Sequence, residues 1–429
     1  MAIGVLMILF LILLVAAFPV GAVLGSISML PNLIDPWFPA DAQYIIRSMI
    51  NGVNSFPILA VPMFILSGNI MAKGKISEKL FDFFAYFVAN KTAGLPIAVI
   101  CTCLFYGAIS GSGPATTAAV GAMTIPILTK SGYRKEFSTA LVAVAGGIGV
   151  IIPPSIPFIF YGQASGASVS DLFKAGIVPG LLIGFSLMIY SWIYCKKNGE
   201  DKEKLNRYKD DLKNRGFLNL VKESFLALVC PIIVLGSIYS GVASPTEAAV
   251  ISVFYALFLS VVIYKTLKIK DIWDVLVESV KTYSTILFII AVATAFSRVL
   301  IFLKVPEMMT NMITSSVSSK FVLLILINLL LLVVGMIMDT TPAILILTPI
   351  LLPIVQSYGM DPIHFGIMMV VNLAIGFVTP PLGVNLFVAS TMTNIKMEEI
   401  IKSALPFIVA FILVLVLITF IPQISLFMV

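Results

Sequence analysis

Apolar residues fall along this chain in long blocks separated by short polar stretches. The blocks cover 3–28, 55–72, 95–110, 113–129, 136–165, 172–195, 225–241, 247–264, 283–303, 321–338, 342–357, 362–392 and 403–421. A bilayer core needs about 20 apolar residues of helix, and several blocks reach that length. Two regions, 95–129 and 321–357, depart from the rhythm. Each is a pair of short apolar arms around a small or polar tip, Ser110-Gly111-Ser112-Gly113-Pro114 and Asp339-Thr340-Thr341-Pro342. The arms are short for full spans and the tips small for headgroup-level loops. They predict re-entrant hairpins; two complete spans with a tight turn is the other reading.

Two more blocks, 136–165 and 362–392, carry proline pairs: Pro153-Pro154 and Pro380-Pro381. Proline has no N–H, so the carbonyls of Gly149 and Val150, and of Gly376 and Phe377, lose their helical partners. Inside a membrane such backbone is tolerated only where protein or a water-filled cavity covers it. Each block therefore predicts a helix broken near the bilayer midplane. Its first half offers carbonyls to a cation, and its second half offers N–H groups and a positive dipole end to an anion. A simple proline kink explains one such block; two at matching places favour the break.

The places match because the chain repeats. Gly107 and Pro114 recur as Gly335 and Pro342 at a spacing of 228. Gly149, Pro153, Pro154, Phe160 and Pro179 recur as Gly376, Pro380, Pro381, Phe387 and Pro406 at 227. One extra span, 225–241, separates the copies and turns the second over. On the first spacing Asp339 corresponds to Gly111. The predicted fold is an all-α polytopic membrane protein of two inverted repeats, each with a re-entrant hairpin and a discontinuous helix, an arrangement transporters use.

Composition agrees: 59% of residues are hydrophobic and 11% charged, against about 45–50% and about 25% in soluble domains. The net charge of +6 points to membrane topology rather than to nucleic acid. Of the 27 Lys and Arg, 22 fall in 73–91, 130–135, 196–222, 265–281 and 396–402, which places those stretches in the cytoplasm, the N-terminus inside and the C-terminus outside. The stretch 196–222 mixes both signs and reads as a solvated linker. The first block lacks a basic leader and a cleavage site and reads as a retained helix. Four cysteines in or beside apolar segments suggest neither disulfides nor a metal site. The one histidine, His364, sits at the outer end of a span and reads as interfacial, so hydrolase chemistry lacks its base.

Several polar residues have two readings each. Ser244-Pro245-Thr246-Glu247 fits a capping box, with a substrate role for Glu247 the alternative. Arg298 snorkels or meets a partner helix. Ser110, Ser112 and Ser155 are the best hydroxyls for a carboxylate or hydroxylated solute, and each also suits the capping of its own half-helix. Asp339 is an N-cap, a sodium ligand or an acceptor for solute hydroxyls. A mid-bilayer carboxylate costs about 2.5–3.5 kcal/mol on insertion scales, which a bound cation would offset.

Four segments carry a family resemblance: Gly-Ala-Ile-Ser-Gly-Ser-Gly-Pro-Ala-Thr (107–116), Ile-Pro-Pro-Ser-Ile (152–156) with Tyr161-Gly162, Ala-Ser-Pro-Thr-Glu-Ala-Ala (243–249) and Thr-Pro-Pro-Leu-Gly-Val-Asn-Leu-Phe (379–387). Together they resemble the large membrane subunit of tripartite ATP-independent periplasmic (TRAP) transporters, over essentially the whole chain. The resemblance implies a sodium-coupled secondary importer of organic acids, of the C4-dicarboxylate or sialic acid type, in a bacterial inner membrane, working as an elevator. It implies two partners: a small four-helix membrane subunit, expected as a separate chain, and a periplasmic substrate-binding protein. It divides the chain into scaffold 1–91, transport half 92–195, linker and scaffold 196–320, and transport half 321–429. Sodium sites are implied where hairpin tips meet broken helices: one at Ser110, Ser112, Gly149 and Ile152, the other at Asp339, Thr340, Gly376 and Thr379. The anion is placed between them, near Ser155 and Asn385. A stand-alone sodium- or proton-coupled symporter of the same fold is the nearest rival. A proton-conducting subunit would string ionisable groups through its spans, whereas only Asp339 and Arg298 lie inside them.

Overall fold

Prolines, glycines and capping side chains divide the chain into helices in the computed structural model, which describes residues 2–16 and 18–429. The first apolar block is two helices, α1 (Ala2–Val15) and α2 (Val20–Ile34). Pro19, without an N–H, stands at the division, and α2 runs on past the expected end at residue 28. Asp41 caps α3 (Ala42–Val53), accepting the Tyr44 N–H at 2.7 Å. A 3-10 turn at Phe56–Leu59 leads into α4 (Ala60–Lys73) and α5 (Ile76–Val88). The first hairpin is α6 (Gly94–Ser110) and α7 (Gly113–Lys130). The first broken helix is α8 (Lys135–Gly146), a 3-10 turn at Gly147–Val150, and α9 (Ile156–Ser165). Then come α10 (Val169–Asn198), α11 (Lys202–Asn214), α12 (Phe217–Tyr239), α13 (Pro245–Leu257), α14 (Ile269–Phe302) and α15 (Val305–Ser316). The second hairpin is α16 (Lys320–Ile337) and α17 (Thr340–Ser357), and the second broken helix is α18 (Pro362–Gly376) and α19 (Val384–Thr393). The chain closes with α20 (Met397–Phe420) and the short α21 (Gln423–Leu426). Each repeat thus has its hairpin and its discontinuous helix, with α12 as the extra element between them.

Two groups of helices emerge from the packing. In the first, α14 lies against α2, α3 and α4, while α13 packs on α4 and α12. In the second, the two hairpins, the two broken helices, α10 and α20 pack on one another. The groups meet where α4 and α5 touch α6 and where α14 touches α17. Ser244 and Glu247 form the expected capping box at the start of α13, each side chain bonded to the other's backbone N–H.

Two sequence expectations need correction. The stretch 196–222, expected as a solvated linker, is mostly exposed but holds an ordered helix. Its α11 is capped by Asp201, buries Leu205 and Leu212, and packs on α5. Arg215 holds the Asp82 carboxylate at 2.7 Å and Tyr208 donates to it at 3.3 Å. Burial pushes the Asp82 carboxyl above its usual range and Arg215 pulls it back. Arg215→Ala is expected to loosen α11 by about 1 kcal/mol, below the roughly 1.5–3 kcal/mol of a charged hydrogen bond, because Arg215 is 61% exposed and solvent screens the pair. Without the guanidinium Asp82 protonates more readily, so the deficit should shrink as pH falls. Protease sensitivity of 196–222 against pH measures this; a variant indistinguishable from wild type at neutral pH would contradict it. His364, in turn, is buried rather than interfacial. The α21 turn covers it, and its Nδ1 lies 2.6 Å from Ser425 Oγ.

Candidate functional site

In each repeat the hairpin crosses the broken helix at a glycine pair. A Cβ on Gly107 would lie 2.6 Å from Gly149 Cα, and one on Gly376 would lie 2.6 Å from Gly335 Cα. Only glycine permits backbones to approach this closely. One backbone bond then joins each tip to the break it faces. Ile156 N–H donates to Gly111 O at 3.3 Å, and Leu382 N–H donates to Met336 O at 3.0 Å.

At the first crossing the predicted sodium residues gather. Ser112 caps α7, its hydroxyl accepting the Ala115 N–H at 3.4 Å. Its carbonyl accepts Thr116 Oγ1–H at 2.7 Å, and Ser110 Oγ lies 2.9 Å from that same Thr116 Oγ1. A Cβ on Gly149 would come within 3.1 Å of Ser112 O. Ser155 is fully buried; its hydroxyl donates to Val150 O at 2.5 Å and accepts the Phe158 N–H at 3.3 Å. It caps α9 and closes the break with one side chain. Ile152 is buried in the same wall.

The second crossing differs in its capping residue. Asp339 is the N-cap of α17 and accepts the Thr340 N–H at 2.6 Å and Thr340 Oγ1–H at 3.3 Å. By helix position its counterpart is Ser112, not Gly111 as the sequence spacing implied. Thr379 Oγ1 donates back to Ile375 O at 2.7 Å. Asn385 ties the two halves together: its N–H donates to Phe377 O and its Nδ2 to Ala143 O of α8, both at 3.0 Å, while its buried Oδ1 has no partner among the described residues.

The freed carbonyls are therefore less bare than proline chemistry alone implies. Val150 O takes the Ser155 hydroxyl, Gly376 O takes the Thr379 N–H at 3.2 Å, and Phe377 O takes the Asn385 N–H. The chain folds back at each break and supplies substitute donors, as buried backbone requires.

Both tips open onto one cavity of about 130 Å³. The first tip contributes Ser110, Gly111 and Ser112, and the second contributes Asp339, Thr340 and Thr341. Val150, Ile156 and Pro157 bring the edges of the first break, and Phe377 the second. Across from them stand Ile65, Gly68 and Asn69 of α4 and Thr282 and Ile286 of α14. Of the predicted residues, Ser110, Ser112, Asp339 and Thr340 line the cavity; Gly149, Ile152, Ser155, Gly376, Thr379 and Asn385 do not. Sequence reasoning missed the opposite wall. Asn69, whose Nδ2 donates to Ser279 Oγ at 2.9 Å, left one signal: the small polar run Ser67-Gly68-Asn69 inside an apolar block.

The electrostatics of the cavity are lopsided. Asp339 is the one charged side chain among the described lining residues. The remaining positive potential comes from the starts of α7, α9 and α17, which border it. A cation therefore finds a carboxylate and several hydroxyls, while an anion finds helix N-termini and, among the described lining residues, no Lys or Arg.

Comparison with known proteins agrees along the whole chain. The family described as "Tripartite ATP-independent periplasmic transporter, DctM component" matches residues 1–424. The isethionate TRAP transporter permease protein DctMQ of Oleidesulfovibrio alaskensis is 43% identical over 418 residues, 97% of this chain; the chain spans 65% of that relative's length. The C4-dicarboxylate TRAP transporter large permease protein DctM of Pseudomonas aeruginosa is 38% identical over 371 residues, 86% of each chain. The crystal structure of the YdaH transporter of Alcanivorax borkumensis shares the fold at a TM-score of 0.63 and 14% identity, covering 96% of this chain and 97% of that one.

Proposed function

The chain belongs to the DctM family, the large membrane component of TRAP transporters, and from that premise we propose that it moves a small organic acid inward across the bacterial inner membrane, driven by sodium. It is a transporter subunit and not an enzyme. The observation that carries the proposal is the shared cavity, onto which both hairpin tips and the edges of both helix breaks converge. Its one carboxylate and its helix N-termini suit a cation and an anion held together, so sodium supplies the positive charge that no side chain provides. Sodium binds in two places on this reading. Ser110, Ser112 and the backbone at Gly149 and Ile152 hold one ion; Asp339, Thr340 and the backbone at Gly376 and Thr379 hold the other.

We take α6–α10 with α16–α21 as the transport domain, moving as an elevator against a scaffold of α1–α5 and α12–α15. Gly68 supports this division. A Cβ there would lie 3.2 Å from Ser110 Cα, so a smooth scaffold surface faces the first tip. Polar ties between the two sides include Tyr106 Oη to Gly68 O at 3.1 Å and Ser55 Oγ to Gln163 Oε1 at 2.8 Å.

The cavity is smaller than the roughly 300–1,000 Å³ usual for ligand pockets. That favours a solute of the size of isethionate or a C4-dicarboxylate, the solutes named for the two relatives above, over the larger sialic acid. A small membrane subunit and a periplasmic binding protein complete the system on this reading. Reconstitution of the large subunit with and without those partners tests it. Uptake should need all three components; equal uptake by the large subunit alone would return the stand-alone symporter.

Two further outcomes follow from the same reading. Replacing Pro153 and Pro154 together with alanine restores N–H donors to the Gly149 and Val150 carbonyls. The protein should fold and need more sodium for half-maximal uptake, whereas unchanged sodium dependence would reduce the motif to a kink. Single cysteines at Lys202 and Lys213 should resist labelling from outside whole cells, and one at Lys320 should accept it. Strong external labelling at 202 or 213 would overturn the orientation.

A further inference from the structure

A groove between α10 and α20 takes no part in the solute cavity. It encloses about 600 Å³ and is walled almost wholly by apolar side chains. Pro406 lines it, and its missing N–H interrupts the α20 hydrogen-bond ladder there. The groove opens sideways toward lipid: Ile189, Ile193, Leu405, Val409 and Leu413 are between 45% and 61% exposed.

Its polar end is equally defined. On α10 the lining positions 189, 190 and 193 share one helical face, and Lys196 and Lys197 continue it three and four residues on. On α20 the lining positions 413, 409, 406 and 405 share a face that Lys402 extends toward the same end. At the rise of a helix, the three lysines stand about 4.5–6 Å beyond the apolar wall. They enter none of the ion pairs among the described residues, and Glu398 and Glu399 lie one turn further out on α20. Lys196 Nζ sits 4.9 Å over the ring of Trp192, which is 44% exposed, as residues at a membrane interface are. An apolar channel ending in three cations and an interfacial tryptophan matches an acyl chain joined to a phosphodiester.

We propose that this groove binds an anionic phospholipid, its chain along Ile193 and Val409 and its phosphodiester at Lys196, Lys197 and Lys402. The charge pattern puts that end in the cytoplasm, so the lipid comes from the inner leaflet. The site is independent of the solute and of the coupling ion, and because α10 packs on the first hairpin and α20 on both broken helices, the lipid would travel with them.

The full-length protein, stripped of lipid in detergent, tests the site by titration with phosphatidylglycerol, cardiolipin or phosphatidylcholine. Native mass spectrometry counts bound lipid, and melting temperature reports its effect. One anionic lipid should bind per chain and raise the melting temperature, with phosphatidylcholine binding about tenfold or more weakly, in line with the gain expected from a few lysines. The phosphatidylglycerol and cardiolipin arms show whether one phosphodiester suffices. The variant K196Q/K197Q/K402Q should lose the preference for anionic lipid. Val409→Trp keeps every lysine, fills the groove and should lower binding of all three lipids. Should the triple variant not run as a monodisperse species, Lys402→Gln alone, at an exposed position, carries the charge test. Equal binding of phosphatidylcholine and phosphatidylglycerol would overturn the proposal, as would anionic-lipid binding unchanged in these variants.

Discussion

Asp339→Asn should fold, enter the membrane and lose most sodium-driven uptake. Asparagine caps a helix as well as aspartate does, so α17 keeps its start and the Thr340 N–H keeps an acceptor. Replacing the carboxylate by a neutral amide lowers an insertion cost of about 2.5–3.5 kcal/mol, so expression should not suffer. What disappears is the one charged side chain among the described residues that line the cavity. If it holds sodium, directly or through the backbone beside it, sodium affinity should fall about 10–100-fold, the range seen when groups supporting a metal site are lost. Sodium titration of uptake, alongside a folding check by gel filtration, separates the two roles. Wild-type sodium affinity in Asp339→Asn would leave Asp339 as a helix cap alone.

Gly376→Ala should be the most damaging single methyl in the chain's second half. The added Cβ would meet Gly335 Cα at 2.6 Å, and backbone atoms cannot rotate aside as a side chain can. The hairpin must lift from the broken helix, at an overpacking cost of about 1–3 kcal/mol or more. The tip that carries Asp339 lies four residues beyond Gly335, so its placement in the cavity goes with it. We expect a lower melting temperature and near-complete loss of uptake. Gly236→Ala is the control: nothing stands within 4 Å of its Cβ position inside α12. A helical glycine replaced there should stabilise by about 0.5–1 kcal/mol. Equal behaviour of the two variants would mean that the glycine crossing has no special role.

The elements that define the site were legible because their signals are local. A proline pair breaks a helix whatever surrounds it, and a tip of Ser-Gly-Ser-Gly or Asp-Thr-Thr joins two arms within a few residues. The glycine repeats gave the symmetry, since close crossing leaves a sequence mark in both copies. What escaped depends on distant contacts. His364 looks interfacial until α21, some 60 residues later, folds over it. The α11 helix carries Leu205, Tyr208 and Leu212 along one face, but its dense charges hid that stripe until α5 was there to receive it. The carbonyls at the breaks find donors in Ser155, Thr379 and Asn385, which requires the fold-back itself. Asn69 and Thr282 belong to the site only because α4 and α14 pack opposite the hairpin tips.

Solute uptake into proteoliposomes under an imposed inward sodium gradient tests the central claim most directly. The large subunit, the small membrane subunit and the binding protein are reconstituted together, with labelled solute outside. Accumulation should begin when the gradient is imposed, stop when a sodium ionophore collapses it, and be lost with Asp339→Asn. Equal accumulation with sodium absent or equal on both sides would contradict sodium coupling at the cavity between the two hairpin tips.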